Sequence, residues 1–231
     1  MGDNYSMRTK LSEPDDRIEV FNSLWEICYS GIRERSSALY YNNLRRMDPI
    51  SVDFETHLLS VPHWELVPVW GKIDDPTFFD MLSKRKFPVN QQLRHKDNLE
   101  YVYLRDTWHD TMGHLPYLWD FEYSDVMTLI GLIWKLDNSV ELRTSLTRIY
   151  WAVIEFGMIY EGGTLRPLGA GIMSSKDELE LAVSNSKNTQ RDFDFVEIAA
   201  WDFDPFGVQD RHYVIPSLDF LIKELKILLR R

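Results

Sequence analysis

Cysteine is nearly absent from this chain: Cys28 is the single one among 231 residues. It cannot form a disulfide within the chain, and no basic segment is followed by an apolar run and a small-residue cleavage site. A reducing, cytoplasmic setting is therefore expected. Long apolar runs are missing as well. The most apolar stretch, residues 126–134, is closed by Lys135 and Asp137 and is far shorter than the roughly 20 residues a membrane-spanning helix needs. Positive charge is also scarce, with 26 Lys and Arg against 36 Asp and Glu and a formal net charge of -10. Phosphate is bound by clustered Lys and Arg, and no basic block offsets the acidic field, so neither nucleic acid nor a membrane is an expected partner. Internal repeats and low-complexity segments do not occur.

What the chain does contain is apolar mass. With 44% hydrophobic and 13% aromatic residues it can bury one sizeable core, and we expect a loose arm over residues 1–15 and a single globular domain over 16–231. Pro14-Asp15-Asp16 ends the arm and opens a helix with acidic residues in its first turn. Val20, Phe21, Leu24, Trp25, Ile27 and Cys28 recur at helical spacing, and Ile32, Leu39 and Tyr40 continue after Gly31, which predicts two helices or one broken helix up to Met47. Residues 62–72 carry two prolines without helical period and read as an extended, partly buried loop. Asp75-Pro76 offers an N-cap and a proline at the first helical position, predicting a helix from Pro76 to about Lys84.

Residues 106–160 keep helical spacing and fit three helices, with breaks near 113–119 and near Asn138. Ser175-Lys176-Asp177-Glu178 matches a capping box. Strands are expected at 196–201 and 213–215, and a C-terminal amphipathic helix follows Pro216-Ser217, with a stripe through Leu218, Leu221, Ile222, Leu225 and Leu228. The fold class expected is mostly α with a small β component.

One segment carries chemistry. In Asp106-Thr107-Trp108-His109-Asp110-Thr111-Met112-Gly113-His114-Leu115-Pro116 two imidazoles stand five residues apart. Five residues turn an ideal α-helix by about 140°, so both rings reach one ion only where the helix loosens, and Gly113 and Pro116 supply that loosening. Zinc proteases place their histidines four apart with Glu after the first, which this chain does not do. The best third ligand is Glu155, a carboxylate in the otherwise apolar run from Tyr150 through Gly157. Two neutral imidazoles and one carboxylate leave three adjacent positions open on an octahedral iron(II). Each residue taken singly also has a plainer reading, a structural histidine pair and a half-exposed or Arg-paired glutamate. Asp106, three residues before His109, can fix the imidazole tautomer, cap a helix, or do both.

At these residues the chain resembles the aromatic amino acid hydroxylases, the family of phenylalanine, tyrosine and tryptophan hydroxylases. The likeness extends from about Leu66 to Lys223. His109 through Pro116 is similar to the family's two-histidine motif in its bacterial form, with Asp after the first histidine. Tyr150-Trp151 through Glu155-Phe156-Gly157 resembles the segment supplying the carboxylate ligand, and Gly169-Ala170-Gly171 with Ser174-Ser175 resembles the turn that closes the site. Leu66 through Gly71, then Phe78, Arg85, Phe87 and Arg94-His95, follow in the family's order.

The resemblance implies a hydroxylase catalytic-domain fold and an iron(II) enzyme that uses O2 and a tetrahydropterin, tetrahydrobiopterin or a relative, to hydroxylate an aromatic amino acid or closely related aromatic acid. It implies that His109, His114 and Glu155 hold the metal. Phe78 would stack on the pterin, Gly71, Ile73 and Asp75 would shape its pocket, and Asp110 and Tyr150 would border it from the metal side. Arg94 would bind the substrate carboxylate, Trp151 would lie against the substrate and Ser174 would bond within the same pocket. Where the family carries Thr-Pro-Glu-Pro before the position of Asp106, this chain has Val102-Tyr103-Leu104-Arg105. A hydroxyl and a carboxylate are lost, and a guanidinium is gained four residues before His109. Arg105 therefore points to solvent, pairs with a protein carboxylate, or meets an anionic group on the substrate. Two alternatives accompany the main reading: the same triad acting on a non-standard aromatic substrate, and a catalytically silent binding module of the same fold. No regulatory domain or long C-terminal coiled coil is expected, hence a monomer or homodimer.

Overall fold

The computed structural model describes residues 16–47, 61–99, 105–184, 189–204 and 209–230. The arm at residues 1–15 and the Val102-Tyr103-Leu104 part of the departure just noted lie outside them. Two helices open the described chain, α1 (Arg17–Arg35) and α2 (Ala38–Met47). The break falls at Ser36-Ser37 and not at Gly31, where the helix continues and Leu179 of a later helix packs so closely that an added methyl would sit 3.0 Å from it. α1 buries Val20, Phe21, Leu24, Cys28 and Ile32 along one stripe.

Residues 62–72 are not simply a loop. Glu65–Val69 forms β1, paired in parallel with β2 (Lys86–Asn90), and helix α3 (Asp75–Ser83) makes the crossover. Proline is tolerated in this pair because a two-stranded sheet consists of edges. The N-cap of α3 is Asp74, whose carboxylate accepts from the Thr77 amide at 2.8 Å, one residue earlier than the sequence pattern indicates.

The middle of the chain alternates two helical windings. A π-turn π1 (His109–His114) passes into α4 (Leu115–Leu118), then come α5 (Phe121–Leu136), α6 (Val140–Ile149) and a second π-turn, π2 (Tyr150–Glu155). The expected breaks are present at 119–120 and 137–139, where Asp120 and Ser139 cap the following helices. α3 packs across α5 at Gly131, where a β-carbon would lie 2.5 Å from the Ser83 amide nitrogen.

A four-stranded sheet follows in the order β4-β3-β6-β5, with β3 (Met158–Glu161) and β4 (Thr164–Pro167) antiparallel through the Gly162-Gly163 turn. β6 (His212–Ile215) runs parallel to both β3 and β5 (Gln190–Asp192). Between them lie α7 (Ala170–Met173), α8 (Lys176–Ser184) and α9 (Phe195–Ala199), and α10 (Leu218–Leu229) ends the described chain against α5.

Two expectations fail here. The strand expected at 196–201 is helix α9, because the Asp194 side chain caps the Glu197 amide at 2.8 Å and Val196 faces solvent, so a helix end overrides β-branched composition. The capping box at α8 is only half formed: Ser175 Oγ accepts from the Glu178 amide, but the Glu178 carboxylate turns inward to accept from the Gln209 amide at 2.9 Å. The fold is mostly α with a small β component, as its sequence pattern indicates.

Burial also sets the chemistry of the single thiol. Cys28 is buried, and loss of water pushes its thiol up to about 11, leaving on the order of one thiolate per thousand at pH 8. The folded protein is expected to resist a thiol-reactive chromogenic disulfide at pH 8 and to release one equivalent only after unfolding in guanidinium chloride. Stoichiometric reaction of the native protein would contradict this placement.

Candidate functional site

A π-turn closes its hydrogen bonds between residues five apart, one residue wider than an α-helix. That winding answers the spacing problem set by His109 and His114, which occupy the first and last positions of π1 and bring their Nε2 atoms to 3.1 Å. Glu155, the last residue of π2, completes the set: its Oε1 lies 3.3 Å from His114 Nε2 and its Oε2 3.5 Å from His109 Nε2. All three are buried, and one ligand atom from each lies within 4.8 Å of the others.

The π-turns meet through glycine. α7 lies against both of them, and a β-carbon on Gly113 would sit 2.7 Å from the Ala170 carbonyl oxygen. One on Gly169 would sit 2.1 Å from the Glu155 carbonyl oxygen, and one on Gly171 2.7 Å from the Phe156 ring. Gly169-Ala170-Gly171 is thus a wedge between the histidine-bearing and the glutamate-bearing segments.

A hydrogen bond fixes the outer nitrogen of His109, whereas His114 Nδ1 is buried without a hydrogen-bond partner among the described residues. His109 Nδ1 shares a hydrogen bond of 2.9 Å with Ser174 Oγ. Ser174 is held in turn, because its carbonyl accepts from Trp108 Nε1 at 3.0 Å. Orientation of the imidazole therefore belongs to Ser174 and not to Asp106. The Asp106 carboxylate accepts from the His109 amide at 3.0 Å and from Arg94 Nε and Nη2 at 2.7 and 3.0 Å, a helix cap and an ion pair that leave it no reach to the ring. The Arg94 side chain is 6% exposed, engages Asp106 through the Nε–Nη2 edge of its guanidinium and sends Nη1 to the Leu99 carbonyl.

Electrostatics separate the two carboxylates of the site. Burial alone would raise Glu155, but the Arg105 guanidinium, with His114 and His109, outweighs it and holds the carboxyl well below the usual range. Arg105 Nη1 makes an ion pair with Glu155 Oε1. Asp110 lacks such a partner among the described residues. Burial pushes its carboxyl up to about 8, although the Asn90 amide donates to its Oδ2 at 2.6 Å. His109 is driven well below its ordinary value, first by burial, and stays neutral.

One wall of the site opens on a cavity of about 360 Å³. Gly71, Ile73, Asp75, Phe78, Asp110, Tyr150, Trp151 and Arg105, eight of the residues singled out from the sequence, line it together with His114. Phe78 and Tyr150 meet edge to face with ring centres 5.2 Å apart. Arg94, Asp106 and Ser174 do not line it. Three lining aromatics, Phe79, Phe87 and Phe203, have no site role in the sequence reading. Phe87 packs its ring 5.0 Å from His114 out of the short strand β2, and Phe203 lies 4.7 Å from Trp151 in a segment without any period.

The model of the biopterin-dependent aromatic amino acid hydroxylase family matches residues 35–229. A phenylalanine-4-hydroxylase of Mesorhizobium japonicum is 34% identical over 172 residues, 73% of this chain and 62% of that protein. A tyrosine 3-monooxygenase of Schistosoma mansoni is 34% identical over 159 residues, 69% of this chain and 34% of that one. The matched stretch spans 52% to 62% of the length of four bacterial relatives. Among solved structures, Chromobacterium violaceum phenylalanine hydroxylase with bound iron(III) and 7,8-dihydrobiopterin superposes with a TM-score of 0.84 at 26% identity, covering 97% of this chain and 88% of that one.

The glycine wedge generates a direct test. Gly169→Ala forces a methyl into the Glu155 backbone and is expected to lower the melting temperature by roughly 5 °C or more. Gly31→Ala, whose methyl meets only the flexible Leu179 side chain, is expected to shift it by less than about 2 °C. Equal shifts in calorimetric scans would remove the wedge from the account.

Proposed function

Because the chain belongs to the biopterin-dependent aromatic amino acid hydroxylases, its residues 35–229 matching that family's model, we propose that it is an iron(II)- and tetrahydropterin-dependent monooxygenase that hydroxylates an aromatic amino acid or a closely related aromatic acid. The observation that carries this reading is the convergence of His109, His114 and Glu155 beside an aromatic cavity that His114 lines. The donor set suits iron(II): two imidazole nitrogens, one of them neutral through burial, and one carboxylate kept ionised. Glu155 Oε2 is buried without a hydrogen-bond partner among the described residues, an orphan that a cation would satisfy.

In this reading His109, His114 and Glu155 hold the metal, and Ser174 keeps the His109 ring aimed. When bound, iron and tetrahydropterin supply oxygen activation and the reducing electrons. The chain's part is placement and shielding. Phe78 offers a flat face for the pterin ring, and Gly71, Ile73 and Asp75 border the same part of the cavity. Asp110, its carboxyl raised by burial and its Oδ2 held by the Asn90 amide, borders the pterin from the metal side. Tyr150, Trp151 and Phe203 present apolar surface to the substrate and keep water from the reacting atoms. A second reading, a non-standard aromatic substrate on the same triad, is favoured by Arg105 at the cavity wall.

Two outcomes are expected. Purified protein binds one iron(II) per chain, and Ala at His109, His114 or Glu155 abolishes turnover while the far-ultraviolet dichroism stays native; activity in any of the three variants refutes the triad. Oxygen uptake depends on tetrahydropterin and is not supported by 2-oxoglutarate, which the oxygen electrode distinguishes directly. Support by 2-oxoglutarate would reassign the chemistry.

A further inference from the structure

Resting on the proposed function, we infer that five neighbouring tyrosines, Tyr123, Tyr117, Tyr40, Tyr41 and Tyr29, carry electrons from the surface to the metal site and quench an oxidant left there when the cavity holds no aromatic acid. Their spacing is short. Tyr123 stacks on Tyr117 with ring centres 4.9 Å apart and 17° between the planes, and Tyr117 meets Tyr40 at 4.9 Å. All three are 0% exposed. Tyr41 follows Tyr40 in α2, and its hydroxyl lies 3.4 Å from that of Tyr29, which stacks on Trp25 with ring centres 4.6 Å apart. Tyr41, Tyr29 and Trp25 are half-buried, so the series ends where water can reach it.

The inner end is tied to the ligand segment. Tyr117 stands three residues after His114, and the Tyr40 hydroxyl donates to the carbonyl of Met112, which lies inside π1 two residues before His114. Tyr123 is close enough to Glu155 for that carboxylate to add to the upward push of burial on its phenol. Packing alone does not account for the hydroxyls. That of Tyr123 is buried without a hydrogen-bond partner among the described residues, a cost that phenylalanine, with the same ring, would avoid. What the hydroxyl adds is ease of oxidation, because a phenol gives up an electron at a far lower potential than an unsubstituted benzene ring.

Electrons move one at a time. Tyr123 or Tyr117 gives one electron to an oxygen- or peroxide-derived oxidant at the metal site, and each tyrosine is refilled by the next one outward. The buried phenols keep their hydrogens, those of Tyr117 and Tyr40 on the carbonyls of Pro167 and Met112. The proton is lost at Tyr41 or Tyr29, which passes it to water and is left as a neutral phenoxyl radical. A reductant in solution, tetrahydropterin or a thiol, restores that phenol by giving it one hydrogen atom.

The test exposes iron(II)-loaded protein, without aromatic acid, to hydrogen peroxide and locates the oxidised residues by peptide mass spectrometry, with metal-free protein as the background. The wild type is expected to show a tyrosyl radical by electron paramagnetic resonance in frozen samples and iron-dependent oxidation of Trp25, Tyr29 and Tyr41. Tyr117→Phe keeps the ring and breaks the series. Oxidation of the three outer residues is then expected to fall to the metal-free background, while that of His109, His114 and Tyr150 rises. Tyr213→Phe, at an equally buried tyrosine outside the series, is expected to leave the wild-type pattern unchanged. Should Tyr117→Phe fail to fold, Tyr40→Phe interrupts the series one ring further out and is read in the same way. Identical oxidation maps for the wild type and the interrupted variant overturn the inference and leave the proposed function standing. If the wild type takes up no iron, the proposed function falls and this inference falls with it.

Discussion

Closeness of two backbones is the condition on which the rest of this protein rests. The histidines and the glutamate come from segments about forty residues apart, and a three-point site needs those segments within a few ångströms. Side chains would hold them further away. Gly113, Gly169 and Gly171 remove the obstacle, so that α7 can press its backbone against both π-turns at once. Interiors pack at crystal-like density and do not deform smoothly, so a joint made of backbone against backbone has one setting. The distances between the ligand atoms follow from that setting.

Charge then acts within a frame already fixed. The site holds two buried carboxylates of different character, Glu155 kept ionised by cations and Asp110 raised by burial. Environment alone separates them, since their chemistry is the same. A third buried carboxylate, Asp106, serves the architecture. With Arg94 it ties the start of π1 to the chain before it, and it caps the His109 amide. Arginine and aspartate beside a metal motif look alike in a sequence whether they serve as strut or as ligand. The partner decides, and partners are set by tertiary structure.

This explains what could and could not be read beforehand. Helices α1 and α10 are legible because their apolar stripes match the faces they bury, and in α10 the Ser217 side chain also caps the first turn. The proposed set of His109, His114 and Glu155 is legible through the resemblance of its two segments to a family's motifs, since each residue taken singly also has a plainer reading. β1 and β2 are not, because five-residue strands containing proline carry no alternation, and their pairing is made across a helix. α9 is misread because one aspartate cap outweighs the β-branched residue beside it. Phe203 has no local signature at all; it belongs to the cavity only because the segment after α9 folds back onto Trp151. Ser174 as the partner of His109 is likewise a fact of three dimensions, sixty-five residues removed.

The π-turns also bear on how such a site can change over generations. A π-turn is an α-helix that has accepted one extra residue, so the five-residue interval between His109 and His114 stores an insertion as well as two side chains. Losing one residue between them would let the segment return to ordinary α-helical winding with the histidines four apart, a net turn of about 40° that keeps both imidazoles on one face. The first and last residues of π2 stand in the same relation, Tyr150 on the cavity and Glu155 at the ligand set. The extra residue therefore alters what lies between the imidazoles more than the imidazoles themselves: from within the widened turn Asp110 reaches the cavity and Gly113 meets the Ala170 carbonyl.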